Sequence, residues 1–297
     1  MEHPPTQDPT VAKRRLRDAL RRLREEAQLT QREVAEAMDW SPSKLIRIEA
    51  SQVTVSTTDL RALLAHYAVT DPDEVANLVA LGRAARERAW WSAYSKLVPA
   101  RFLEFIGFES SASVIRNFEP LTVPGLLQTR EYAREVLQAL RTPNVDDMVD
   151  LRMGRQELLT RDNPPDLHFI LDQAVIHRVV GSPKVMQRQL RHILDVAEFP
   201  NVTVRVVPWS VGFYPRYEAA YVHIEFPTVE DPAALYQEKY GGITRESLQD
   251  ETPADYLTSF WELEQAAPVT LAPVLIQEAI AALGRMSANP GSPAPDQ

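Results

Sequence analysis

Pro42, Ser43, Ile46 and Arg47 fall within one helical turn of each other, on one face of a short segment near the N-terminus of this 297-residue chain. Their types suit contact with base edges. An arginine fork matches the two acceptors of guanine, and an isoleucine can meet a thymine methyl. Lys44 lies to the side of that face and suits a phosphate better than a base. A second set is acidic: Asp172, Glu225 and Glu238 sit at the ends of predicted strands. Three carboxylates there could hold a metal for nucleic-acid hydrolysis, although strand ends face solvent and carry carboxylates commonly. The six histidines (His3, His66, His168, His177, His192, His223) lack His-x3-His ligand spacing, so surface or satisfied histidines are expected. Gly241-Gly242 reads as a turn rather than a phosphate loop, and there is no Gly-x-Ser-x-Gly elbow. With no cysteine, disulfides, thiolate zinc sites and cysteine nucleophiles are excluded. Neither an enzyme nor a cofactor or metal is expected.

The recognition-type face needs elements to position it. Thr30 to Glu49, TQREVAEAMDWSPSKLIRIE, predicts two short helices joined by a tight turn, the layout of a helix-turn-helix. Thr30-x-x-Glu33 is a capping box for the first helix, and Val34, Ala35 and Met38 point inward from it. Asp39-Trp40 interrupts the pattern. Ser41 is a suitable N-cap and Pro42 a suitable first residue for the second helix, whose inward face is Leu45 and Ile48. A helix with that outer face fits the major groove of B-DNA. Two blander roles compete: Gln31 as a plain first-turn residue, and Arg47 as a partner of Glu36 or Glu49.

Charge supports the same division. The chain carries a net −9, yet Val11 to Ala50 holds ten Lys/Arg against seven Asp/Glu, a local +3 that leaves −12 elsewhere. DNA binding is therefore expected to be confined to the N-terminal module, and the acidic remainder suits a basic protein or a ligand. No apolar run approaches the ~18 residues of a membrane span. The start, MEHPPTQDPT, is not a signal peptide, so a cytoplasmic protein is expected, on the nucleoid when DNA-bound.

The length predicts about two domains. Residues 1–9 read as a disordered arm and 10–70 as an all-α DNA-binding domain. Residues 71–95 read as a connecting helix whose Leu78, Leu81 and Ala85 stripe is core or subunit contact. Residues 96–286 read as a dimerisation or sensor domain, helical at first and then mixed α/β, and 287–297 as a disordered tail. From Trp90 to Thr160 the pattern reads helical. Leu167–Leu171, a helix over Pro183–Glu198 and Val202–Val207 form a β-α-β unit, which predicts parallel strands. Tyr221–Phe226 and Ala234–Glu238 read as further strands. Trp209, Phe213, Tyr214, Tyr217 and Tyr221 cluster without helical period, either a packed loop or the lining of an apolar pocket.

Gln31 with Ala35, Leu45 and Ile48-Glu49 resembles the Xre/Cro family of helix-turn-helix regulators, over about Leu16 to Tyr67. The resemblance implies that Gln31 meets a phosphate and that Pro42, Ser43 and Arg47 face bases. Arg32, Ser41, Lys44 and Ile46 complete the expected contact set. Asp39 stands where the family usually has glycine, and Asp tolerates a left-handed backbone. Ala50-Ser51 replaces a polar residue and glycine, which leaves the next loop open. The runs PLTVPGLLQTREYAREVL and LHFILDQAVIHRVVGSPKVMQRQLRHILDVAEFPNVTVRVVP resemble the large C-terminal domain of actinobacterial Xre-type, WhiJ-like regulators, over most of Ala89 to Phe260. That implies a transcription regulator, often encoded beside a small partner protein in an antitoxin-like arrangement, with no catalysis. The expectation is a homodimeric repressor or antitoxin-like autoregulator on an inverted-repeat operator, answering a partner protein or small-molecule effector. The alternatives are a protein-interaction module with little DNA function and a metal-dependent nuclease.

Overall fold

The computed structural model describes residues 8–228, 231–237 and 252–288. Residues 1–7 of the expected arm, Glu238, Gly241-Gly242 and 289–297 of the expected tail lie outside the described residues. The chain forms two compact units, residues 1–111 and 112–297.

The first unit is helical: α1 (Pro9–Glu26), α2 (Gln31–Ala37), α3 (Pro42–Glu49), α4 (Thr57–His66), α5 (Pro72–Ala84) and α6 (Ala100–Ser110). Asp8, expected in the arm, starts α1 by accepting the Thr10 N–H at 2.8 Å. The inward stripe of α1, Leu16, Leu20 and Leu23, packs with Leu45 and Ile48 of α3 and Leu60, Leu63 and Leu64 of α4. Each such burial stabilises the unit by about 1.5–3 kcal/mol. Helix α5 stops at Ala84, where the sequence pattern ran on toward Tyr94. Arg86 turns back instead and donates to the Val55 carbonyl and the Thr57 hydroxyl, both at 2.8 Å. Leu78 and Ala85 of the stripe are buried within this unit, and Leu81 packs on its core. Helix α6 falls in this compact unit. It lies so close on α1 that a Cβ at Gly107 would stand 1.9 Å from Thr10 Oγ1.

The second unit holds a five-stranded mixed sheet in the order β3-β2-β1-β4-β5. Its strands are β1 (Val114–Glu119), β2 (Asp166–Asp172), β3 (Val202–Val207), β4 (Tyr221–Glu225) and β5 (Ala234–Gln237). The helices are α7 (Arg130–Ala139), α8 (Val145–Arg155), α9 (Gln173–His177), α10 (Pro183–Val196), α11 (Pro253–Ala266) and α12 (Leu271–Ala288). The β-α-β unit forms as expected, with β2 and β3 parallel from Leu167↔Val202 to Asp172↔Val207. The central strand β1 corrects the helical reading of this region. It pairs parallel with β2 and antiparallel with β4. Arg116 and Asn117 interrupt its apolar run and hide the strand, and Arg116 is admitted because Glu225 on β4 accepts from it at 2.5 Å. Helix α12 extends through Ala288, two residues into the expected tail.

Side chains alternate between the faces of a strand. On one face Phe118, Ile170, Val207 and Tyr221 pack with Tyr256, Phe260 and Leu263 of α11. Two residues along the same strands, that face turns polar: Arg116, His168, Arg205 and His223. Among the described residues no single helix is long and apolar enough to cross a membrane.

Candidate nucleic-acid interface

Helices α2 and α3 form the motif that the residue types predicted. Thr30 Oγ1 accepts the Glu33 N–H at 3.2 Å, and Glu33 accepts the Thr30 N–H at 2.8 Å. The Thr30 N–H, and then the Thr30 hydroxyl donating to the same carboxylate oxygen at 2.8 Å, hold the Glu33 carboxyl below its ordinary pKa. Helix α2 ends through Asp39, at φ 53°, with the Trp40 N–H reaching the Ala35 carbonyl at 2.8 Å. Asp does what glycine does in such a cap. The loop after α3 closes the same way: Ser51 sits at φ 56°, and the Gln52 N–H donates to the Arg47 carbonyl at 2.9 Å. The Ala50-Ser51 departure therefore leaves the turn intact. Ser41 begins α3 in an extended conformation, but its hydroxyl makes no cap bond. It lies 3.1 Å from the Ser43 hydroxyl instead.

Leu45 and Ile48 are buried, which turns Pro42, Ser43, Ile46 and Arg47 outward together. Ile46 is 48% exposed, unusual for a large apolar side chain on a packed helix. Arg47 pairs with neither Glu36 nor Glu49; its Nε donates to the Ser43 carbonyl at 3.3 Å. Glu36 is held by the exposed Arg32 at 2.9 Å. Gln31, Arg32, Pro42 and Ile46, with Arg21 and Arg24, line an open groove of about 780 Å³.

Two features under this face escaped the sequence reading. The first is an ion pair. Arg24 of α1 donates to both oxygens of Glu49, at 2.7 and 3.1 Å, and also to the Leu29 carbonyl at 3.0 Å. Glu49 accepts from Gln31 at 2.7 Å as well, so three helices meet at one carboxylate. Its bond to Arg24 raises the arginine pKa further. Arg24 is one of the ten Lys/Arg counted between Val11 and Ala50, among which Arg21 pairs along α1 with Glu25 at 2.9 Å. The second feature is Lys44, expected on a phosphate. Its Nζ lies 3.8 Å from the Trp40 ring centroid and 3.1 Å from an oxygen of Asp59.

Residues 15–78 match the model of a helix-turn-helix domain, and residues 102–270 match that of a domain of unknown function, DUF5753. The second match covers more than half of the 297 residues. The chain belongs to the DUF5753 family. No curated protein and no solved structure matches it. The helix-turn-helix domain ahead of the DUF5753 domain marks a DNA-binding regulator.

Within the DUF5753 domain Asp172 and Glu225, two of the three carboxylates considered above as possible metal ligands, lie far apart, and Glu238 is outside the described residues. Antiparallel β4 aligns Glu225 with Val114, opposite the start of β2, whereas Asp172 ends β2. Six residues of strand, roughly 20 Å, separate the two carboxylates. Asp172 accepts from Ala174 N–H at 2.7 Å and from the Tyr214 hydroxyl at 2.5 Å, while Glu225 holds Arg116. No cluster of three or more metal-ligating side chains occurs among the described residues. The five aromatics also divide. Tyr214 and Tyr221 are buried beside Phe118 and α11, and burial pushes both phenols far up. Trp209, Phe213 and Tyr217 stay exposed, Phe213 at 82%. Trp209 stacks on His177 with ring centroids 4.7 Å apart, and Phe213 meets Tyr217 at 4.8 Å. Tyr217 links the two groups, since its ring also meets that of buried Tyr214 at 6.3 Å.

Proposed function

We propose that the chain is a sequence-specific transcription regulator that binds an inverted-repeat operator as a two-fold homodimer. It acts by binding rather than by catalysis. The observation that carries this reading is the outer face of α3, where Arg47 and Ile46 project to solvent from a helix whose other side is sealed into the core. Arg47 reads a guanine through its two-pronged donor set, and Ile46 rests on a thymine methyl. Gln31, fixed by Glu49, meets a phosphate, and Ser41 and Ser43 offer hydroxyls beside it. A module of this size buries limited DNA surface, which favours pairing and half-sites about 10 base pairs, or a multiple, apart. The WhiJ-like arrangement, a small partner protein or an effector acting on the C-terminal unit, belongs to the same proposal. The exposed aromatic side chains of Trp209, Phe213 and Tyr217 support it.

Selection from randomised duplexes, followed by footprinting and light scattering, tests the reading. Arg47→Ala should weaken the selected site by about 1–3 kcal/mol and flatten preference at one base pair. An unchanged base preference would remove Arg47 as the reader, and a monomer protecting one half-site would remove the dimer. Absence of any selected sequence leaves an interaction protein, and metal-dependent cleavage leaves a nuclease. For the exposed aromatics, Trp209→Ala with Phe213→Ala should keep the melting temperature and operator binding but lose the response to the neighbouring gene product or effector. A response that survives the double substitution discards a sensing role for Trp209 and Phe213.

A further inference from the structure

Lys44 and Arg47 are neighbours on α3, yet their side chains are held differently. Among the described residues Arg47 bonds within its own helix, to the Ser43 carbonyl. Lys44 is held by two groups outside α3. The Trp40 ring lies beneath its ammonium at 3.8 Å, and Asp59 takes it at 3.1 Å. Both holders are themselves fixed. Trp40 follows the left-handed Asp39, and its N–H is bonded to Ala35. Asp59 lies in the first turn of α4, where its own N–H donates to Ser56 Oγ at 3.0 Å. Lysine and aspartate are about one-third exposed, so the pair forms in contact with solvent, beside the face that meets DNA.

We infer that Asp59 is a positioning residue that withholds Lys44 from the DNA backbone. The inference rests on the DNA-binding reading above. A lysine on the recognition helix binds any phosphate whatever the base sequence. It would raise non-specific affinity and steepen the salt dependence without adding discrimination. Held by Asp59 and Trp40, it adds little to either, and the ratio of specific to non-specific binding rests on Arg47 and Ile46. An exposed pair of this kind is weak, so its release is a graded effect of a few-fold.

A double-mutant cycle on the full chain tests this, read by fluorescence anisotropy against the selected operator and a scrambled duplex over a range of salt. Asp59→Asn should tighten binding to the scrambled duplex about two- to five-fold. It should also steepen the slope of log K against log salt by about 0.9 for each DNA-bound protomer, one added phosphate contact per recognition helix. Lys44→Ala in the otherwise native chain should leave that slope unchanged. In the Lys44→Ala background, Asp59→Asn should no longer steepen it. Asp59→Ser, which keeps a small polar side chain in the first turn of α4, must reproduce the effect, and circular dichroism of each variant excludes unfolding as its source. A slope that flattens by about one for each DNA-bound protomer in Lys44→Ala alone overturns the inference, because Lys44 would already sit on a phosphate. Equal steepening by Asp59→Asn in both backgrounds also overturns it, since the gain would then be bare charge removal. Failure of the native chain to bind any duplex sinks the DNA reading itself, and is visible before the cycle begins.

Discussion

The two units use charged side chains in opposite ways. In the N-terminal unit one tightly shared carboxylate, Glu49, ties α3 to α1 and α2, and the outer side of α3 is left open to solvent. In the C-terminal unit charges are engaged with one another across the sheet. Arg116 takes Glu225, while Arg205 donates to the Glu264 and Ala267 carbonyls at the end of α11, at 3.3 and 2.9 Å. His168 and His223 stand beside Arg116 in register on its two neighbouring strands. An exposed face with periodic spacing can be read as a contact surface. Groups that satisfy each other inside a fold carry no such outward sign.

The largest effect that sharpens this contrast comes from Glu49. Its side chain is 5% exposed and that of Arg24 is 11%. Glu49→Ala strands a guanidinium with little access to water and should destabilise the N-terminal unit by about 3–5 kcal/mol. Arg32→Ala, which breaks the exposed pair with Glu36, should change stability by no more than about 0.5 kcal/mol. Hydrogen exchange resolved by segment separates the units: protection should fall in α1 to α4 and persist in the sheet. A loss below about 1 kcal/mol for Glu49→Ala would make the pair no different from a surface one.

Acid should act on the units in separate ranges. Burial holds His168, His177, His192 and His223 below their ordinary value of 6.5. Around His168, Arg116 and Arg205 lower it further while Glu264 and Asp166 oppose; around His223, Glu225 opposes and Arg116 lowers. A depressed folded pKa means that the unfolded chain takes up protons first as the pH falls beneath 6.5. The stabilisation is therefore whole above that value and is lost as the pH drops through the folded pKa. In the N-terminal unit His66 is exposed. Glu33, held down by Thr30, matters only beneath its ordinary value of 4.5. Calorimetry at about pH 7.5 and about pH 5.5 should lower the transition of the C-terminal unit more than that of the N-terminal one. His168→Gln with His223→Gln should reduce the difference, and equal shifts in both units would refute the assignment.

The same contrast explains what could be read before the structure. The capping box of Thr30 and Glu33, the inward Leu45 and Ile48 and the outward Ile46 and Arg47 follow from local periodicity, and all fall where expected. The Arg24–Glu49 pair joins residues 25 apart and leaves no local trace. Strand β1 was hidden because its Arg116 is made tolerable only by Glu225, 109 residues away. Adjacent aromatics met opposite fates for a related reason. Tyr214 is 7% exposed and Phe213 82%, in a loop whose burial is set by α11 and the strands around it. No period within the loop encodes that difference.

A smaller effect than that of Glu49 is expected at helix ends. In the N-terminal unit four of them close through a residue other than glycine in the left-handed region: Gln28, Asp39, Ser51 and Ala68. Each is followed by an N–H that reaches back to the helix, as Val69 does to the Leu64 carbonyl at 3.0 Å. For an L-residue that backbone costs roughly 1–2 kcal/mol, and glycine escapes it while losing about 0.5–1 kcal/mol through the greater freedom of its unfolded chain. Asp and Ser recover part of the strain by local hydrogen bonding, whereas alanine has no side-chain group to do so. Ala68→Gly should therefore raise stability by about 0.5–1 kcal/mol, and Asp39→Gly by less. The denaturation midpoint of the N-terminal unit should rise for Ala68→Gly, and that of the sheet unit should stay in place. A midpoint that falls would mean that Ala68 does not hold the left-handed conformation in solution, and the claim that these caps need no glycine would fail at its plainest example.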